Sequence, residues 1–347
     1  MKNLKKVLII FLACAMLTAC GDGGEKSKNQ NKNEKEDVKT EKVSFLLDWD
    51  PNVNHAGLYT AIEKGFFKDE GIEVEINQPP ANGAEALVAS GKADLGISFQ
   101  DTIAPAFANK DPLPVTAIAA IINHNTSGVI SLKEKNIERP KDMEGHNYAT
   151  WGLEIEQAIL KQVVEDDGGD FSKVEMIPEN VTNAVQAING DIDTVWIFYQ
   201  VDGVLAKNQN VPINYFAFKD ISPVFDYYTP ILIANNDFLK DKEDVAKRFM
   251  KAFVKGYEYA IENPDEAAEI LVKANPELDK DLVKGGMEYL KDKYKDDAEY
   301  FGQIDSKRWN DFYTWLFENG LIENEIPKDF GFTNDFVNPE NLKWVKN

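Results

Sequence analysis

The stretch FLLDWDPNVNHAGLYTAIEKGFF, Phe45 to Phe67, sets Asp48, Trp49, Asn52 and His55 between an apolar run and a helix-like run. Those side chains have recognisable uses. An indole offers a flat apolar face, and stacking on it contributes roughly 0.5–1.5 kcal/mol beyond simple burial. A carboxylate accepts hydrogen bonds from amines, two at once from an amidine-like edge. An amide or an imidazole can donate or accept. Each residue also has a structural use. Trp49 can cover the core, Asp48 can cap the following turn, Asn52 can sit in the turn, and His55 can be a polar group at a helix start.

Similar residues stand after other apolar runs. Gln100 and Asp101 follow ISF, Asn123 and His124 follow AAII, Trp151 and Glu154 follow NYAT, and Tyr199 and Asp202 follow TVWIF. In open α/β sheets ligands sit beyond the carboxyl ends of strands. Loop tips rich in Trp, Tyr, Asp, Glu, Asn and His suit a planar, polar heterocycle. Trp151 and Glu154 can instead pack and cap the start of a helix, and Trp196, in mid-strand, reads as core. A helix start near Gly152 would attract an anion, but Glu154 already supplies a carboxylate there. Beyond the leader the arginines are Arg139, Arg248 and Arg308 alone. Sulfonate, phosphate and sulfate ligands are therefore disfavoured.

Several chemistries are excluded. G-x-S-x-G, the P-loop and H-E-x-x-H are all absent. Three widely spaced histidines offer no zinc set. Cys14 and Cys20 are the only cysteines, so the folded part has no disulfide and no thiol nucleophile. We expect no catalytic residue, no metal and no cofactor. A formal charge of −21 argues against nucleic acid, whose phosphates require clustered Lys and Arg.

The elements that must position these residues begin after a leader. Lys2, Lys5 and Lys6 precede the apolar VLIIFLACAML, which has signal-peptide length. LTAC, Leu17 to Cys20, fits a lipoprotein signal with Cys20 lipidated; the alternative is an ordinary signal peptide with an incidental cysteine. Residues 21–42 are polar and read as a disordered tether to the membrane. Strands and helices then alternate, which predicts α/β architecture with mostly parallel sheets. KVSFLLD is a strand, LYTAIEKGFFKDEG a helix closed by Gly71, and VTAIAAII a continuous apolar run fit for a central strand. A second series of the same kind starts near Ser127. Trp309, Phe312, Tyr313 and Leu316 recur at helical spacing and read as core.

LDWDPNVNHAGLYTAIEKGFFKDEGIEVEI, with GKADLGIS, RPKDMEGHNYAT, DYYTPILIANND and ENPDEAAEIL, resembles the bacterial ABC-transporter substrate-binding proteins related to yeast thiamine-pyrimidine synthase. The likeness runs from about Lys42 to Val337. It implies a two-lobed, periplasmic-binding-protein-like fold of type II with a ligand cleft between the lobes. It places crossings near Thr126–Val129 and Ile221–Ile231. Lobe one is then 43–127 with 229–347, and lobe two is 128–228. Asp226 and Tyr227 fall at the second crossing, where hinge meets cleft, although a tyrosine there can instead only pack.

The resemblance further implies an extracytoplasmic, lipid-anchored receptor for a thiamine pyrimidine precursor such as formylaminopyrimidine, delivering it to an ABC permease with its ATPase. We expect a monomer. The contact set is Asp48, Trp49, Asn52, His55, Trp151, Glu154, Tyr199, Asp202, Asp226 and Tyr227. One departure stands out: where pyrimidine binders carry W-E-G, this chain has Val201, Asp202 and Gly203. A shorter carboxylate arm keeps flavin-sized ligands open. The rival is a thiamine pyrimidine synthase using pyridoxal phosphate and its own histidine; those enzymes carry a cysteine-rich motif that this chain lacks.

Overall fold

Strands form where β-branched and aliphatic residues alternate or run together. The computed structural model describes residues 40–80 and 83–342, and ten strands in two sheets lie among them. The leader, Cys20 and the tether through residue 39 lie outside the described residues. The last two tether residues belong to the fold, because the first strand starts at Glu41.

The first sheet holds β1 (Glu41–Leu46), β2 (Ile72–Asn77), β3 (Leu95–Ser98) and β4 (Val115–Ala120). The second holds β5 (Ser127–Leu132), β6 (Asn147–Thr150), β7 (Glu175–Pro178), β8 (Thr194–Phe198) and β9 (Ile213–Ala217). The chain then returns to the first sheet as β10 (Ile231–Asn235). The orders are β2-β1-β3-β10-β4 and β7-β6-β8-β5-β9, the same arrangement twice.

Four of the five strands in each sheet run the same way, as expected; the exceptions are β10, antiparallel to β3 and β4, and β5, antiparallel to β8 and β9. Topology explains this. Each of these strands follows a passage from the other sheet, so each starts at the edge where the sheets face one another and runs away from it. Those passages are 121–126 and 218–230, the first ending where β5 begins rather than overlapping it. One expectation changes: the apolar run of β4 is an edge strand, not a central one. Its free side is covered by the carboxyl-terminal segment, with Ala117 N–H donating to the Gly331 carbonyl at 2.8 Å and Thr333 N–H to the Ala117 carbonyl at 2.9 Å. Covering an edge this way removes a site for unwanted strand pairing.

The helix expected over Leu58–Gly71 is two helices, Ala56–Glu63 and Phe66–Asp69, because Gly65 takes a left-handed conformation between them. Helix Glu243–Glu262 shows the expected stripe, burying Phe249, Met250, Phe253, Tyr257 and Ala260. Along β1, Val43 and Phe45 enter one apolar cluster while Leu46 enters another, as strand alternation requires. The second cluster runs from the first sheet through Phe225, Tyr227 and Tyr228 to Trp196 and Phe216 in the second. Trp309, Phe312, Tyr313 and Leu316 are buried in it, so the passage 218–230 is anchored by a tightly packed helix, Ser306–Glu318.

Candidate ligand-binding site

The turn after β1 is held by its own polar groups. The backbone N–H of Asn52 donates to His55 Nδ1 at 3.1 Å, which leaves the imidazole proton on Nε2. That Nε2 donates to Asp48 Oδ1 at 2.6 Å, with both side chains almost wholly buried. Asn52 Oδ1 accepts from Asn54 N–H at 2.9 Å, and its amide donates to the Asp50 carbonyl at 3.0 Å. Tyrosines from distant helices reach the same turn: Tyr257 donates to the Asn54 carbonyl and Tyr294 to the Val53 carbonyl. Asp48, Asn52 and His55 thus act within the turn. Trp49 is the residue that the turn presents, 68% exposed and without a ring partner among the described residues.

The tip after β6 is built around a residue that the sequence reading missed. Glu156 is 3% exposed and accepts from Tyr148 Oη at 2.7 Å and Thr150 Oγ1 at 3.0 Å. It also accepts the backbone N–H groups of Trp151 at 3.1 Å and Leu153 at 3.3 Å. Gly152 takes the left-handed conformation that lets both N–H groups converge. The carboxylate that fills this helix start is Glu156, three residues after Leu153, and not Glu154, which is exposed at the first helical position. The spacing of a capping box was the available signal. Trp151 remains 42% exposed, resting on buried Trp196 with centroids 5.5 Å apart.

After β8 the chain makes one wide helical turn, Tyr199–Gly203. Tyr199 is half-buried between Tyr215 and Tyr289, each at 4.9 Å between centroids. Tyr289 lies on helix Lys280–Leu290, whose Val283, Met287 and Leu290 pack in the core of the first sheet. The Tyr199–Tyr289 contact therefore joins the lobes. Gln200 joins them again: its amide donates to Asn54 Oδ1 at 3.1 Å, and its Oε1 accepts from Thr126 Oγ1 at 2.7 Å. Gly286 makes this approach possible, since a Cβ there would stand 2.8 Å from Val53 Cγ1 and 2.9 Å from the Gln200 carbonyl. The Asp202 carboxyl accepts from Ala184 N–H at the start of helix Ala184–Ile188, while burial pushes its pKa up to about 6.

At the passages, Asp226 is already engaged. Its Oδ2 accepts from His124 Nδ1 at 2.6 Å and its Oδ1 from Asn125 N–H at 2.9 Å. His124 Nε2 meets Asp297 at 3.0 Å. An imidazole that donates from both nitrogens is protonated, and the Asp226 hydrogen bond, ahead of burial, holds its pKa above the ordinary value. His124, Asp296 and Asp297 bring potential ligand atoms within 4.8 Å, but the ion pairs already satisfy the ring. Tyr227 is core, 2% exposed and stacked on Phe312 at 4.1 Å.

The structure thus brings Asp48, Asn52 and His55 into one turn, sets Trp49 and Trp151 at two exposed tips, and engages Asp226 and Tyr227 within the passage 218–230. Among the described residues no helix is long and apolar enough to cross a membrane. The family model described as NMT1/THI5 like matches residues 52–267. The chain is 29% identical over 335 residues to the formylaminopyrimidine-binding protein of Halalkalibacterium halodurans, covering 94% of this chain and 98% of that one. It is 24% identical over 325 residues to the 4-amino-5-hydroxymethyl-2-methylpyrimidine phosphate synthase THI5 of Saccharomyces cerevisiae, covering 86% and 89%. The periplasmic aliphatic sulphonate binding protein SsuA from Escherichia coli matches with a TM-score of 0.66 at 12% identity, covering 86% of this chain and 99% of that chain. With a family match across more than half its length and the two-lobed fold of the SsuA binding proteins, the chain belongs to the NMT1/THI5-like family.

Proposed function

We propose that this protein is the solute-binding component of an ABC importer, that it takes a thiamine pyrimidine precursor of the formylaminopyrimidine kind, and that it is held at the membrane by lipid on Cys20. The observation that carries the reading is the turn at Asp48–His55. Four internal hydrogen bonds and two distant tyrosines hold a loop whose exposed product is a single indole, Trp49. A side chain held at a strand end with its face open is a ready stacking surface. Trp151 offers a second from the other lobe, on a tip fixed by Glu156. Closure about the passages brings the two tips over a flat ligand, and a permease reads the closed form. The formylaminopyrimidine-binding relative supports the choice of ligand class. Asp202 stays in the proposed contact set, its carboxyl held by Ala184 N–H at a helix start.

Calorimetry with formylaminopyrimidine, hydroxymethylpyrimidine, thiamine, riboflavin and taurine tests this. One of the pyrimidines should bind tightly, and Trp49→Ala should cost about 1–3 kcal/mol of affinity, as for a lost aromatic anchor. Stability should hardly change, because Trp49 is exposed. Equal affinity in the variant removes Trp49 from the site. The yeast relatives keep a synthase reading in play; consumption of pyridoxal phosphate by the same sample would favour it over transport.

A further inference from the structure

Asp101 is the second residue of helix Gln100–Phe107, which starts as β3 leaves the first sheet. The turn that carries it is fixed. Gln100 Nε2 donates to the Trp309 carbonyl at 3.0 Å, and Gln100 Oε1 accepts from Tyr228 N–H at 2.9 Å. The backbone N–H of Gln100 donates to the Tyr228 carbonyl at 3.1 Å. Phe99 meets Phe198 of the second sheet, with centroids 6.4 Å apart and planes 18° from parallel. Asp101 therefore stands beside the seam between the lobes.

Its Oδ1 is closed off from solvent and has no hydrogen-bond partner, although the residue keeps a partly exposed face. The Tyr227 hydroxyl and the N–H groups of Asp101 and Thr102 hydrogen-bond its carboxyl, leaving Oδ1 without a partner, and the Glu85 carboxylate repels its charge. Glu85 is itself buried, with its Oε1 accepting from Ser98 Oγ at 2.5 Å. No basic side chain is among the groups that act on Asp101. A buried carboxylate oxygen without a donor destabilises a fold. An asparagine would fill the same space and bring an N–H₂ toward the acidic neighbour.

We propose that Asp101 orients the ligand on lobe one, its unpartnered oxygen accepting an N–H from the amino or protonated ring-nitrogen edge of the heterocycle, with Glu85 behind it selecting donor-rich edges over acceptors. The proposal rests on the heterocycle-binding reading above and adds the residue that sets orientation. Parting the lobes at the Phe99–Phe198 seam gives the ligand access. Burial pushes the Asp101 carboxyl up to about 6, so near neutral pH a single proton can be shared between it and a basic ring nitrogen. An anionic ligand meets two carboxyl groups and is refused.

The test compares the wild-type protein with Asp101→Asn, using formylaminopyrimidine as the probe. Calorimetry in two buffers of different ionisation enthalpy reads affinity and proton exchange together. We expect affinity to fall roughly 10- to 100-fold, the range for losing a hydrogen bond to a charged group. Binding-linked proton exchange should shrink. The unliganded melting temperature should hold or rise, a result that a purely structural role would not give. Glu85→Gln should weaken binding less, with proton exchange retained. Undiminished affinity and proton exchange in Asp101→Asn overturn the proposal while leaving the binding reading intact. A lowered melting temperature alongside lost affinity overturns it in favour of a structural role. A wild-type protein that binds neither this probe nor hydroxymethylpyrimidine or riboflavin removes the reading and the proposal together.

Discussion

Glu156 gives the sharpest energetic expectation. Its carboxylate is the common acceptor for two buried hydroxyls and two backbone N–H groups. In Glu156→Ala the Tyr148 and Thr150 hydroxyls stay buried without their acceptor, at about 1–3 kcal/mol each. The N–H groups of Trp151 and Leu153 lie on an exposed tip, so water replaces part of their loss; a removed helix cap typically costs about 1 kcal/mol. Together these come to about 3–7 kcal/mol. Glu156→Gln keeps one acceptor oxygen but turns an N–H₂ toward donors, so about 1–2 kcal/mol is expected. Urea unfolding at neutral pH measures both, with a shifted midpoint and an unchanged slope. The ordering Ala worse than Gln is as important as the size. A loss below about 1 kcal/mol for Glu156→Ala would refute the view that this carboxylate builds the tip. Ligand affinity in Glu156→Gln should drop as well, because Trp151 then samples other positions.

Two other perturbations address the hinge. His124 has a folded pKa above its unfolded value of about 6.5, so its ion pairs stabilise fully below that pH, and the contribution is lost as pH rises through the folded value. Asp226, Asp296, Asp297 and Arg308 are the charged groups facing it, and His124→Gln should flatten the fall in melting temperature above about pH 6.5; an identical pH profile would count against the pairing. Gly286→Val would force its Cβ against Val53 and the Gln200 carbonyl, costing about 1–3 kcal/mol. It should also widen the particle in small-angle scattering, and an unaltered radius of gyration with full stability would show that the helix does not set the lobe spacing.

Much of the fold was legible because period and punctuation agree. Helix Glu243–Glu262 has its stripe, Pro264 opens the next helix, and Gly71 and Gly91 close earlier segments with left-handed backbones. The family was legible in the residues from Asp48 to Phe67. Strand direction was not, since GVISL and ILIAN contain nothing that says which way they run; only the passages between sheets decide it. Edge position was hidden for the same reason, because β4 is covered by Gly331 and Thr333, more than two hundred residues later. At the site, residue type located the loops but did not separate builders from presenters. His55 and Asp48 look as ligand-like as Trp49 until the 2.6 Å bond between them is seen. Gln200 escaped notice because its partners Asn54 and Thr126 lie far along the chain, and Glu156 because nothing in a capping spacing points to the Tyr148 and Thr150 hydroxyls it also accepts.

The turn at Asp48–His55 depends on hydroxyls that come late. Tyr257 and Tyr294 reach back 203 and 241 residues to the carbonyls of Asn54 and Val53. A nascent chain halted ahead of Tyr257 already contains the whole DWDPNVNHAG motif yet has neither prop. Capacity to recognise a solute is consequently acquired near the end of synthesis, and partial products carry the signature without the shape.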